Sequence, residues 1–201
     1  MKIIVFSVFY LYICLVKKNI FIMILITEEI KEKNYSIFLK KLLELNIDTT
    51  LLETIFDKEK VKNATFNITN GGEGTLLHII LRILTPNALK IAELNAPEGF
   101  EINKESLIKV CLLSHLSKVE MFQKGKREGT FEYAPYPYGM KMGLRSIALC
   151  ESFNIKLTAE EIEAMTILDR ETEDQAKFFA SPLAQIVKIA NELTFLHLKF
   201  I

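Results

Sequence analysis

From Thr27 onward, apolar residues recur at three- and four-residue spacing, the period of a helix with one buried face. Ile30, Tyr35, Phe38, Leu39, Leu42, Leu43 and Leu45 mark a first helix running to about residue 46. Thr27 is suited to cap it, and Glu28 and Glu29 suit the positive end of its dipole. A second short helix is expected over Thr50–Phe56. Residues 57–74 read as polar and irregular, and they end in Asn70-Gly-Gly-Glu-Gly74. That cluster reads as a loop: no strand precedes it and it lacks the Lys-Ser/Thr ending of a phosphate-cradling loop.

Leu76 to Leu94 predicts a helix that Pro86 breaks or bends, because proline lacks the N–H that an inner helical turn needs. Asn103 predicts the cap of the next helix, with apolar positions Leu107, Ile108, Cys111, Leu112, Leu116 and Val119. Residues 123–139 hold Gly, Lys, Tyr and Pro and predict a hairpin or an ordered loop. Met142 to Phe153 predicts another helix. Thr158-x-x-Glu161 is a capping box that opens a helix over 159–168. Pro182 suits the first turn of a last helix over 182–198. The pattern is that of an all-α domain.

The first 26 residues follow a different pattern. Ile3 to Val16 is almost continuously apolar, Lys17-Lys18 interrupts it, and Ile20 to Ile26 resumes it. The first run is shorter than a standard spanning helix, and no small-residue cleavage site lies near Val16. Two readings stay open: a membrane anchor formed by residues 1–26, or translated sequence upstream of a true start at Met23. The division expected is thus residues 1–26 as an apolar segment and residues 27–201 as one helical domain.

Composition narrows the partners. The chain has 201 residues, 50% of them hydrophobic, which suffices for a substantial core. Its 25 acidic and 25 basic residues give no net charge and no strong nucleic-acid signal. The run Lys124-Gly-Lys-Arg127 reads as a solvated loop, as do Asp169, Glu171, Glu173 and Asp174. Cys14, Cys111 and Cys150 are odd in number and widely spaced, so neither a disulfide framework nor a zinc site is indicated. The expected location is the cytoplasm, or a membrane surface if residues 1–26 act as an anchor.

Five segments, in order, resemble the motifs of small HD-domain phosphohydrolases of prokaryotic and phage type. Gly74-Thr-Leu-Leu-His-Ile-Ile-Leu-Arg82 resembles that family's first-ligand helix, G-G-L-L-E-H-S-L. Val110-Cys-Leu-Leu-Ser-His-Leu-Ser-Lys118 resembles V-G-L-L-H-D-L-C-K. Pro135-Tyr-Pro-Tyr-Gly139 with Gly143-Leu-Arg-Ser146 resembles P-F-P-L-G-H-G-E-K-S. Ala164-Met-Thr-Ile-Leu168 resembles A-I-R-W-H. Ser181-Pro-Leu-Ala184 through Ile189-Ala-Asn191 resembles S-P-L-A…H-I-A-D. The resemblance implies a single-domain HD-like helical bundle carrying a short hairpin or irregular loop near 123–139.

Active members of that family hold divalent metal on histidine nitrogens and aspartate oxygens, and the metal activates a water against a phosphate ester. Matched residue by residue, the ligand positions fall on Ile79, Ser114, His115, Met142, Leu168 and Asn191, so every one departs from the motif. Ile79, Met142 and Leu168 are expected to converge and fill the former site. His78 lies one residue early, which on a helix rotates a side chain by about 100°. The resemblance therefore implies a catalytically degenerate protein, without hydrolytic activity or cofactor, that serves as a binding or interaction module. A nucleotide, another phosphate-bearing ligand or a protein is the expected partner.

Lys118 and Arg145 match basic positions that can face a substrate phosphate and are the anion-binding candidates; the plainer expectation for Lys118 is a solvated or salt-bridged helix residue. Two alternatives remain. One is a phosphoric ester hydrolase with an altered divalent metal site on His78 and His115, completed by Glu73 or Glu192. The other is a membrane-tethered helical interaction domain. Without a metal, both histidines are expected to be satisfied by ordinary hydrogen bonds. Cys111 is expected to be a buried, inert thiol.

Overall fold

The computed structural model describes residues 26–67, 72–94, 102–127, 130–135, 141–168 and 180–199, and their fold is helical apart from one small hairpin. Helix α1 spans Glu28–Glu44, and Thr27 caps it by accepting from the Ile30 N–H. Tyr35, Phe38 and Leu42 form its buried edge, one helical face turned inward. Asn46 reverses the chain with a φ of 57°, and α2 follows at Thr50–Ile55.

A third helix, α3 at Lys58–Asn63, occupies part of the stretch expected to be irregular. Its apolar signal is a single residue, Val61, too little for a periodic stripe. Local chemistry makes the helix instead. Asp57 accepts from the Glu59 N–H, and buried Lys62 reaches Glu32 at 2.6 Å and Glu59 at 2.8 Å. This lysine thereby links α3 to α1, and the two carboxylates hold its ammonium above the ordinary lysine range.

Helix α4 runs continuously over Thr75–Leu94. Pro86 neither breaks nor simply bends it. The turn before the proline widens to a π turn over Ile80–Leu84, in which the Thr85 N–H bonds the Ile80 carbonyl. Proline cannot donate to Arg82 O and its ring would crowd that carbonyl, and the wider turn relieves both problems. The Thr85 hydroxyl adds a second bond to Ile80 O at 2.8 Å. By length and composition α4 could cross a membrane, but half of that stretch is buried against the rest of the fold.

Helix α5, Lys104–Leu113, starts at Asn103, whose side chain accepts from the N–H groups of Glu105 and Ser106. A tight turn over 114–117 separates it from the short α6, Lys118–Met121. Strands β1, Phe122–Lys124, and β2, Phe131–Tyr133, pair antiparallel with Phe122 opposite Tyr133. The hairpin expected near 123–139 thus forms; residues 128–129 and 136–140 lie outside the described residues.

Helices α7, Met142–Ser152, and α8, Ala159–Ile167, follow. The expected capping box is present at α8: Thr158 accepts from Glu161 N–H, and Glu161 accepts from Thr158 N–H. The last helix, α9, spans Pro182–Lys199. The charged run Asp169–Asp174 and residues 1–25 lie outside the described residues.

Helix α9 packs against α8 and against the second half of α4, while α5 lies against α4, α8 and α9. Along α5 and the turn after it, Leu107, Val110, Cys111, Leu112, Leu113 and Leu116 are all buried. The segment that sequence singled out as 110–118 therefore runs through the centre of the core.

Candidate buried site in the 114–118 turn

The geometry of the site begins with how α5 ends. Beyond Leu113 the backbone tightens to i→i+3 bonds: Leu116 N–H to Leu113 O, Lys118 N–H to His115 O, and Val119 N–H to Leu116 O, each at 3.0–3.1 Å. In such a turn residues three apart stand on one side. His115 and Lys118 consequently share a face, with Ser114 four residues before Lys118 beside them. The turn is fixed to the start of α7, where Ser117 N–H donates to Ser146 Oγ and Ser117 Oγ donates to Met142 O, both at 3.0 Å.

This face looks onto Phe66, a residue between α3 and α4. The Phe66 N–H donates to Thr75 Oγ1 at 3.0 Å. The His115 ring meets the Phe66 ring edge-on with centroids 4.9 Å apart. On the same aromatic group, the Lys118 ammonium lies 3.5 Å from the ring centroid and donates to the Phe66 carbonyl at 2.6 Å. Phe195 of α9 supplies a second ring 5.3 Å from that ammonium. Lys118 is only 3% exposed. It is thus neither solvated nor salt-bridged, contrary to the plainer expectation from sequence: no carboxylate pairs with it among the described residues.

Burial pushes the Lys118 ammonium down to about 7. The carbonyl and the ring faces oppose that fall by favouring the charged form. His115 is fully buried, and its pKa is held well below the ordinary histidine range by burial first and by Lys118 second. Its Nε2 faces Asn191 Oδ1 at 3.0 Å. Its Nδ1 has no hydrogen-bond partner, and neither does Ser114 Oγ. The expectation that both histidines are ordinarily satisfied therefore holds for one nitrogen of His115 and fails for the other.

Of the six positions carried over from the family resemblance, the structure joins two directly, His115 and Asn191, from α5's end and α9. Ser114 adjoins them. Ile79 is buried on α4 at 3% exposure, whereas Met142 and Leu168 are only partly buried, at the start of α7 and the end of α8. The centre of the candidate site is polar, not the dry apolar cluster expected of Ile79, Met142 and Leu168.

His78 faces elsewhere. Its Nδ1 lies 3.4 Å from Asn34 Nδ2 of α1, and burial with nearby Arg82 lowers its pKa. The two carboxylates considered for a metal are engaged: Glu73 meets Lys124 at 3.0 Å and Lys31 at 3.8 Å, and Glu192 meets Lys188 at 3.7 Å. Among the described residues no group of three His, Cys, Asp or Glu side chains is arranged to hold a metal. At the 114–118 turn the donor set is one imidazole, one amide and one hydroxyl beside an ammonium. Hard divalent ions need carboxylate oxygens and no cation alongside, so these residues do not fit one.

Arg145, the second anion-binding candidate, donates through Nε and Nη2 to Glu120 Oε2 at 3.0 and 2.7 Å. Cys111 is buried as expected, and burial pushes its thiol up to about 12. Sequence reasoning missed Phe66 and Phe195. Each is one aromatic among many, and only the packing of the 64–67 segment and α9 onto the turn assigns them a place. Comparison with known proteins supplies no relative: no family model, no curated protein and no solved structure matches the chain.

Proposed function

We propose that this chain is a catalytically degenerate protein of HD-like architecture that works as a binding or interaction module, without phosphoester hydrolysis. The observation that supports this reading is the chemistry of the 114–118 turn. Hydrolysis of the kind the motif resemblance implies requires oxygen ligands around a divalent ion. At the matching positions the chain instead brings His115 against Asn191, with the Lys118 ammonium beside them and no carboxylate. A cation introduced there would meet like charge and would lack the anionic ligands needed to offset its dehydration.

The test is direct. Full-length protein is analysed for bound metal and assayed for phosphatase activity with added manganese, magnesium or iron. The reading expects sub-stoichiometric metal and no turnover. Stoichiometric metal with turnover abolished by His115→Ala would overturn it and would favour a hydrolase built on His78 and His115. A nucleotide or other phosphate-bearing partner remains the proposed ligand class, and a protein partner the alternative. Engagement at Arg145 would require displacing Glu120.

A further inference from the structure

Three polar groups of the 114–118 turn lie inside the core with their bonding capacity unspent. Ser114 Oγ and His115 Nδ1 are buried without a hydrogen-bond partner. The Lys118 ammonium has three N–H donors, and Phe66 O accepts one of them. Buried polar groups are nearly always satisfied, and buried charges are nearly always paired, because leaving them otherwise costs their full hydration energy. Ser114 and His115 are both 0% exposed and Lys118 is 3% exposed, so bulk water does not supply the missing partners.

The chemistry of these groups selects the class of partner. A cation is excluded by the ammonium and by the absence of a carboxylate at the turn. An apolar group would leave all three groups unsatisfied. An anion can accept from the ammonium and from the Ser114 hydroxyl. It can also accept from His115 if the ring proton sits on Nδ1. That tautomer requires only that the Asn191 amide turn to donate to Nε2 across the existing 3.0 Å contact. We propose that the Ser114–Lys118 turn is a binding site for a phosphate-type anion, held by Lys118 Nζ, Ser114 Oγ and His115 Nδ1–H. The Phe66 side chain, which now covers Lys118, swings aside to admit it. This rests on the binding-module reading and names the chemistry of its ligand.

The experiment titrates the full-length protein with inorganic phosphate, and separately with a nucleoside monophosphate, against sodium chloride of matched ionic strength and with no divalent metal. The readouts are the thermal midpoint and the nitrogen shifts of the His115 ring. Wild type should show a saturable rise in midpoint with phosphate and conversion of His115 to the Nδ1–H tautomer. Lys118→Met should abolish the response, and Ser114→Ala should weaken binding about tenfold, the loss of one charge-assisted hydrogen bond. Tighter binding of the nucleoside monophosphate assigns the anion to a nucleotide, and equal or weaker binding assigns it to free phosphate. No phosphate response in wild type, or an unchanged response in both variants, overturns the proposal. Should Lys118→Met fail to fold, Ser114→Ala and the ring tautomer decide. Metal-dependent turnover would refute the binding-module reading by a different measurement, so the two failures are distinguishable.

Discussion

Replacing Lys118 with methionine tests the energetics of the core most sharply. The side chain keeps its length and loses its charge. In the folded protein, burial lowers the ammonium from 10.5 to about 7. Each tenfold change in proton affinity is about 1.4 kcal/mol, so the buried charge costs about 5 kcal/mol relative to the unfolded chain. The Phe66 ring face offsets about 2 kcal/mol of this. Methionine removes the penalty but leaves the Phe66 carbonyl without a donor, at a cost of about 1–2 kcal/mol. The net expectation is a gain of about 1–3 kcal/mol at neutral pH, the behaviour seen when buried charges are replaced by apolar residues of similar volume.

The pH dependence follows from the sign of the shift. Between about 7 and 10.5 the unfolded chain holds a proton on Lys118 that the folded chain has released. Folding is therefore favoured as pH rises through that window, by up to about 1.4 kcal/mol per pH unit, and this contribution is flat below about 7, where both states are protonated. Urea unfolding in phosphate-free buffer, at a series of pH values from neutral to mildly alkaline, measures it. Wild type should stabilise with rising pH, and Lys118→Met should lose that rise. A variant less stable than wild type at neutral pH, in a wild type that shows no rise, would refute the reasoning and would indicate that the ammonium is paired with an anion in the folded protein.

Other outcomes are expected. Gly74→Ala should destabilise by more than about 1 kcal/mol on urea unfolding, because Gly74 has a φ of 76° and an added Cβ would lie 2.7 Å from Lys31 Cγ, a side chain already committed to Glu28 and Asn63. Thr158→Ala removes one arm of the capping box and should cost about 1 kcal/mol, read by thermal unfolding with the helix signal of the native state retained. Cys111 and Cys150 are buried, with thiols pushed up to about 12. They should resist a thiol reagent in native protein and react once it is unfolded in urea; rapid native labelling of either would contradict their placement in the core.

Much of the helical framework was legible because it is written locally. Thr27, Asn103 and the Thr158–Glu161 pair are caps whose side chains bond backbone groups two or three residues away. Such signals need no knowledge of distant chain. Helix α3 was not legible, since its stability comes from Lys62 reaching Glu32 on another helix. The π turn was half legible: Pro86 announced a disturbance, but whether a helix breaks, kinks or widens depends on what packs around it.

The candidate site divides in the same way. Sequence alone placed Ser114, His115 and Lys118 on one apolar segment and fixed their mutual spacing, because a turn brings residues three and four apart together. The partner of His115 is Asn191, 76 residues away, and the cover of Lys118 is Phe66, 52 residues before it. No local rule reports either contact. Whether a lysine is solvated or buried depends on what the rest of the chain lays over it, and here α9 and the 64–67 segment enclose it. The tertiary structure therefore decided that an expected surface cation is an internal one, with its energetics governed by desolvation and not by screening.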